Sequence, residues 1–291
     1  PKYREYWMEK LSGCTSLALP RWTSDDRVTS GPAFRLVNVP ISIELSEGLK
    51  RFAKQATVPL KNVLLAAHLK TMSMCSGQSD VVTGLSTHGR LEELDGEQTR
   101  GLFLNTIPIR VNLRGGTWMD LARKAFETEW EALPYRRFPF AALQKSWGET
   151  PITEALSNFV QFHVIDGLLQ AGDLEVLEFK KAEGTNFPLL AGFSLSNVTS
   201  QVRLELSYNA NELCESQVKL IAGYYKNILE AMVADPHAQH ESRSLLSNEE
   251  RQELLPRAQP DPQEFASQKC IHQLFEEQAE RRAEATALVY E

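Results

Sequence analysis

At 291 residues, 42 % hydrophobic and 24 % charged, the chain is long enough to bury a full core and has the composition of a soluble globular protein. A net charge of −7, with no basic stripe beyond Arg136-Arg137, argues against a nucleic-acid partner. No apolar run approaches the ~18 residues that a membrane span needs. Four separated cysteines (Cys14, Cys75, Cys214 and Cys270) show no C-x-x-C pairing and point to reduced thiols in the cytoplasm. No signal peptide is legible at the start, and a start at Pro1 is compatible with a piece of a longer protein.

In chain order, residues 3 to 12 read as a short amphipathic helix with Tyr3, Tyr6, Trp7 and Leu11 on one side. After a loop to about Pro32, alternation predicts a strand from Phe34 to Leu45, with a bulge near Val37 and Asn38, and Pro40 suggests an edge position. Helices follow over Ser46 to Ala56 and Pro59 to Cys75, the second placing Cys75 on its apolar stripe. Val81 to Ser86 reads as a strand, Gly89 to Arg100 as a charged loop, and Gly101 to Val111 as a further strand. In that strand Phe103, Ile107, Ile109 and Val111 share a face with Asn105.

An amide among apolar neighbours must find partners, so Asn105 is either a clamp for a loop or a group facing a polar cavity. Leu113-Arg-Gly-Gly116 is a turn, and Thr117 with Asp120 fits a capping box that opens a helix from Trp118 to Ala132, stopped by Pro134. Strands are expected over Asn158 to Ile165, Leu174 to Phe179, Leu189 to Leu195 and Gln201 to Tyr208, then a helix from Glu215 to Met232. After Asp235 the composition is that of a linker. A final helix, Ile271 to Arg281, and a short strand, Ala287 to Tyr290, look like the start of another domain.

Several motifs fail on inspection. Gly84-Leu-Ser-Thr-His-Gly89 approaches a G-x-S-x-G nucleophile elbow, but His88 stands where the second glycine belongs. His237-Ala-Gln-His240-Glu241 matches neither zinc-binding order and reads as a solvated stretch, while Cys270 and His272 are too few for a zinc ion. There is no G-x-G-x-x-G and no P-loop. His163 has no carboxylate fixed beside it and reads as a structural histidine rather than a general base. Taken from its residues alone, the chain is an α/β unit without a complete active site.

Five stretches in order nevertheless resemble the C-terminal half of a condensation domain of a nonribosomal peptide synthetase. Tyr6-Trp7-Met-Glu-Lys-Leu11 resembles the Y-W-x-x-x-L opening of that half. Asp80-Val-Val-Thr-Gly84 with Gly89-Arg90 resembles D-V-V-x-G followed by G-R, and Gly101 to Val111 resembles G-x-F-x-N-T-x-P-x-R. Arg137-Phe-Pro139-Phe140 resembles x-x-P-F, and Tyr208-Asn-Ala-Asn-Glu-Leu213 resembles the closing strand. The segment from Ile271 to Arg281, followed by Ala287-Leu-Val, is similar to the opening of an adenylation domain. Two positions depart from the pattern: Tyr135-Arg136-Arg137-Phe138-Pro139-Phe140 lacks the acidic residue of H-Q-D/N-x-P-F, and Asn186-Phe187-Pro188 replaces D-L-T/S.

The resemblance implies a chloramphenicol acetyltransferase-like lobe, a mixed β-sheet flanked by helices, forming one of two lobes around a tunnel. Residues 1–235 would be that C-terminal lobe, 236–269 an interdomain linker and 270–291 the truncated start of an adenylation domain. The reaction implied is amide-bond formation between an upstream acyl or peptidyl thioester and a downstream aminoacyl thioester. Both are carried on the 4'-phosphopantetheine arms of peptidyl carrier proteins, and no cofactor is bound directly. The chain has six histidines and no adjacent pair, so the H-H-x-x-x-D-G motif would lie in an absent N-terminal lobe and the isolated chain would be inactive. Expected partners are that lobe, the upstream and downstream carrier proteins and the adenylation domain. By the resemblance Gly84, Ser86 and Asn105 line the tunnel, with Asn105 orienting the acceptor or steadying developing charge, and Arg110 anchors the strand end through a salt bridge. Heterocyclisation or epimerisation on the same fold, or a noncatalytic binding platform, are the alternatives.

Overall fold

The computed structural model describes residues 2–22, 34–90, 100–160, 185–196, 199–242, 244–258 and 270–286. The chain divides into two units, Pro1–Leu245 and Leu246–Glu291. The first opens with helix α1 (Lys2–Lys10), strand β1 (Phe34–Val39) and helices α2 (Ile43–Ala56) and α3 (Leu60–Ser76). The hairpin β2 (Asp80–His88) and β3 (Leu104–Asn112) follows, then α4 (Trp118–Ala132), a 3₁₀ turn (Leu133–Tyr135) and α5 (Phe140–Trp147). Strands β4 (Ala155–Val160), β5 (Leu189–Leu195) and β6 (Val202–Asn209) and helix α6 (Glu215–Ala234) complete it. The second unit contains α7 (Asn248–Ala258) and α8 (Ile271–Arg281).

Among the described residues the six strands form one mixed sheet in the order β1-β6-β5-β4-β2-β3. β2, β4 and β5 run parallel as its centre, and β3, β6 and β1 pair antiparallel around them. Because paired residues project to the same side, the register defines two faces. One carries Thr83, Leu85, Ile107, Ile109, Val111, Ala191, Phe193, Leu204 and Leu206, all buried. Helices α3 and α6 cover it: His68 of α3 reaches Thr83, and Tyr225 of α6 meets the Phe193 ring edge-on at 6.0 Å. Each large apolar side chain sealed there contributes roughly 1.5–3 kcal/mol.

Within that layer a hydrogen-bond chain ties helix to helix to sheet. His68 is fully buried, with Nδ1 2.6 Å from the Tyr225 hydroxyl and Nε2 2.6 Å from Thr83 Oγ1. Thr83 donates its own hydrogen to the Ala155 carbonyl, so it accepts from His68 Nε2–H, and Nδ1 accepts from Tyr225. This is a neutral imidazole, and burial pushes its pKa down to about 3.

The sequence expectations meet the structure unevenly. The Thr117–Asp120 capping box, the strand Leu189–Leu195 and the helix Ile271–Arg281 stand where expected, and β1 is an edge strand. The expected strand from Phe34 to Leu45 is shorter. It ends at Val39, its register with β6 runs without a bulge, and α2 already begins at Ile43. Ser42 caps that helix by accepting from the Leu45 N–H, and Ile43 is 55 % exposed, so the alternation of Ile41, Ile43 and Leu45 was coincidental.

β4 begins at Ala155, three residues before the expected start, because a strand buried on both faces lacks the period-two signal. The Cys75 thiol is pushed up to about 12 by burial and is inert as a nucleophile. The expected strands at Leu174 to Phe179 and Ala287 to Tyr290, and His163, lie outside the described residues.

The first unit also holds residues that read as linker. Leu245 is buried and its carbonyl accepts from Asn227 of α6, and His240, expected in a solvated stretch, is 2 % exposed. Helix α7 then forms inside the remaining linker composition.

Thr83→Val keeps the shape of the side chain but strands His68 Nε2–H, while the Ala155 carbonyl still accepts from Thr153 Oγ1. The expected loss is ~1–3 kcal/mol of unfolding free energy by urea titration. Since the His68 pKa lies below its unfolded value of about 6.5, its contribution is complete above that value and is lost as pH falls toward about 3. The urea midpoint of the wild type should therefore begin to fall below pH 6.5, before carboxylates protonate.

Candidate functional site

The hairpin β2–β3 carries the three expected tunnel residues, and its register separates them. Ser86 pairs with Thr106 and Gly84 with Pro108, whereas Asn105 pairs with Thr87. Ser86 and Gly84 therefore project to one side of the sheet and Asn105 to the other.

Asn105 holds the loop before α5. Its amide nitrogen donates to the carbonyls of Arg136 (2.7 Å) and Phe138 (2.8 Å), and its oxygen accepts from the Phe140 N–H (3.2 Å). Both amide hydrogens are spent, which leaves one oxygen lone pair and no donor for developing negative charge. The loop answers in kind. Arg136 Nε donates to the His88 carbonyl at 3.1 Å, Arg137 Nε to the Gly89 carbonyl at 3.1 Å, and Arg137 Nη2 to the Arg90 carbonyl at 3.2 Å. The guanidinium of Arg90 lies 4.7 Å from the Phe103 ring centroid. Two arginines at the place of the family's H-Q-D sequence thus grip three successive carbonyls at the hairpin end.

Arg110 anchors the opposite end of β3, as expected. It grips Asp80 through Nε and Nη2, at 3.1 and 2.7 Å, and its Nη1 donates to the carbonyls of Lys10, the last residue of α1, and Ser12 just beyond it. Beside it a cleft of about 310 Å³ opens between α1, β3 and α4, lined by Tyr6, Trp7, Arg110 and Glu131. Its charges are matched in pairs, Lys10 with Glu131 and Arg110 with Asp80, so it is a seam by which α1 is docked.

Gly84 serves packing. A Cβ there would come within 3.0 Å of Leu156 Cδ1 and Thr106 Cγ2, so the position favours a residue without one. Ser86 lies beyond it, toward the C-terminal ends of the parallel strands, on the face the helices leave uncovered. There the register sets Ser86, Thr106, Asn158, Gly192 and Ser194 side by side, all partly exposed, with Leu104 at the rim 73 % exposed. Open α/β sheets take their ligands at this end of the strands. Sequence reading singled out Ser86 but not its neighbours Thr106, Asn158 and Ser194; the polar positions of a strand signal a wet face but not which wet faces adjoin.

Glu205 pairs with Gly192 and is partly exposed on the same face, and among the described residues no group of three His, Cys, Asp or Glu side chains could hold a metal ion. No described helix is long and apolar enough to cross a membrane. The arrangement can line and orient a neutral polar chain by hydrogen bonding.

A mixed sheet with helices packed on one face and a polar shelf on the other is an architecture of the chloramphenicol acetyltransferase type. Solved structures share it. The X-domain from teicoplanin biosynthesis matches with a TM-score of 0.68 at 17 % identity, over 84 % of this chain and 57 % of that one. The first condensation domain of the CDA synthetase matches with a TM-score of 0.65 at 18 % identity, over 84 % and 52 %.

The sequence profile of the condensation domain matches residues 1–255, and the chain belongs to that family. Among curated relatives, the AMB antimetabolite synthetase AmbE of Pseudomonas aeruginosa is 30 % identical over 79 % of this chain and 10 % of its own length. Surfactin synthase subunit 1 of Bacillus subtilis is 26 % identical over 99 % and 8 %. The chain thus spans a tenth or less of these relatives.

If the amide hydrogens of Asn105 are what hold the loop, Asn105→Ala and Asn105→Asp should each cost ~1–3 kcal/mol in urea unfolding. The aspartate should be no milder, because it sets a carboxylate against two carbonyl oxygens. An aspartate variant of wild-type stability would show that the donors are not holding it.

Proposed function

We propose that this chain is the acceptor-side half of an amide-forming condensation domain within a nonribosomal peptide synthetase, and that its uncovered polar shelf is one wall of the tunnel. The observation that carries the reading is the shelf itself: a sheet with one face sealed by helices and the other left partly exposed, polar at the C-terminal strand ends and apolar at the rim. Family membership supports it, as does the length of the solved condensation domain matched here, of which this chain spans 52 %.

On this reading two phosphopantetheine arms meet over the shelf. The acceptor amine attacks the carbonyl carbon of the donor thioester, a C–N bond forms as the C–S bond breaks, the amine loses a proton and the donor arm leaves as a thiol. Ser86, Thr106 and Asn158 offer neutral hydrogen bonds along the arms, which orients them without trapping charge. Asn105 acts from behind the sheet, as a positioning residue that holds the loop Arg136–Phe140 against the hairpin. The proton acceptor belongs to the partner lobe, since no adjacent histidine pair occurs in this chain. Carrier proteins on both sides and a following adenylation domain are the partners this reading requires, and residues 270–291 are read as the start of the latter.

The test supplies donor-loaded and acceptor-loaded carrier proteins with this chain, with and without an upstream lobe, and follows the acceptor carrier by mass spectrometry. Product is expected only when the lobe is present, and Ser86→Trp, which fills the shelf, should lower the rate at least tenfold at unchanged stability. No product from intact carriers and associated halves would replace catalysis with a binding platform.

A further inference from the structure

Segment 236–242 does more than follow α6. Helix α4 begins with N–H groups that have no partner inside the helix. Asp120 N–H is taken by the Thr117 side chain, but Trp118 N–H donates to the Ala238 carbonyl and Met119 N–H to the Pro236 carbonyl, each at 3.2 Å. The helix is thus capped by a stretch of chain more than a hundred residues later. His240 fastens that stretch. Its Nε2–H donates to the Gly115 carbonyl at 2.9 Å, its Nδ1 accepts from Lys70 of α3 at 3.3 Å, and its ring lies 5.7 Å from that of Trp118. Its backbone N–H reaches the Gly116 carbonyl, and the Glu241 carboxylate accepts from the Gly115 N–H. Gly115 and Gly116 have φ of +66° and +90°, so the turn that receives the strap is a shape only glycine takes without strain.

We propose that segment 236–242 is a releasable strap, fastened through His240 to α3 and to the N-terminus of α4, and that its release uncovers the first N–H groups of α4 while Leu245 stays anchored to α6. The inference rests on hydrogen-bond geometry and chain connectivity and is independent of the reaction the domain performs.

The fastening has a direction with pH. Two charged groups face the ring, Lys70 from α3 and Glu241 from the strap, while α4 presents Trp118 and the turn presents a carbonyl. Burial, and next the Lys70 charge, hold the imidazole pKa below its ordinary value, with Glu241 opposing. A proton on Nδ1 would point at the Lys70 ammonium and remove the acceptor that holds it. Strap attachment is therefore complete above about pH 6.5 and weakens below it, by up to tenfold for each unit of pKa depression.

Amide hydrogen exchange on the full chain at pH 8 and pH 5.5, corrected for intrinsic rates, tests this. Peptides covering 114–121 and 236–242 should lose protection together at pH 5.5, several-fold more than a control peptide from the middle of α6. His240→Gln keeps a donor for Gly115 and cannot titrate, so the selective loss should vanish. Lys70→Met, which removes the cation opposing protonation, should weaken it. Equal pH responses in strap and control peptides of the wild type, or an undiminished selective loss in both variants, would overturn the proposal.

Discussion

Helices α3 and α6 seal one side of the sheet, and the other stays partly exposed at the C-terminal strand ends, a division that distributes much else in the first unit. The sealed face spends its polar groups inward: Thr83, His68 and Tyr225 satisfy one another in a chain that has no water to turn to, and burial keeps the histidine neutral. A histidine so placed cannot serve as a base at neutral pH. Whatever chemistry the fold supports is left to the other face, where side chains at the C-terminal strand ends remain partly exposed.

The hairpin β2–β3 links the two faces. Its residues project alternately to the two faces, so any displacement of the hairpin moves the shelf with it. Three devices hold it: Arg110 with Asp80 at one end, the Asn105 amide on the loop before α5, and Arg136 and Arg137 on the carbonyls of His88, Gly89 and Arg90. The two arginines bear on a departure visible in the sequence, the missing acidic residue of the family's H-Q-D/N-x-P-F. In this chain the contact runs from guanidinium to carbonyl, which needs no carboxylate.

A similar economy appears at the far end of the unit. A helix start that could have been capped locally is capped in part by carbonyls from a strap at its end, so the first unit closes on itself, and its boundary falls ten residues beyond where composition changes. Polar composition describes what a segment would do alone; it is silent about which orphaned N–H groups a distant helix has to offer.

The sequence by itself determined the family through five ordered motifs, most of the helices, the capping box and the anchoring role of Arg110, because these rest on local spacing or on charges adjacent across one hairpin. It also posed the right alternatives for Asn105 and Gly84. What the strands do with them was tertiary: the pairing of Thr87 with Asn105, and of Ser86 with Thr106, put the expected tunnel residues on opposite faces, and Leu156 packs close beside Gly84. The shelf of Thr106, Asn158 and Ser194 and the pin at His240 were likewise decided only in three dimensions. Strand order and register bring together residues as much as a hundred or more positions apart, and nothing in local periodicity encodes that adjacency.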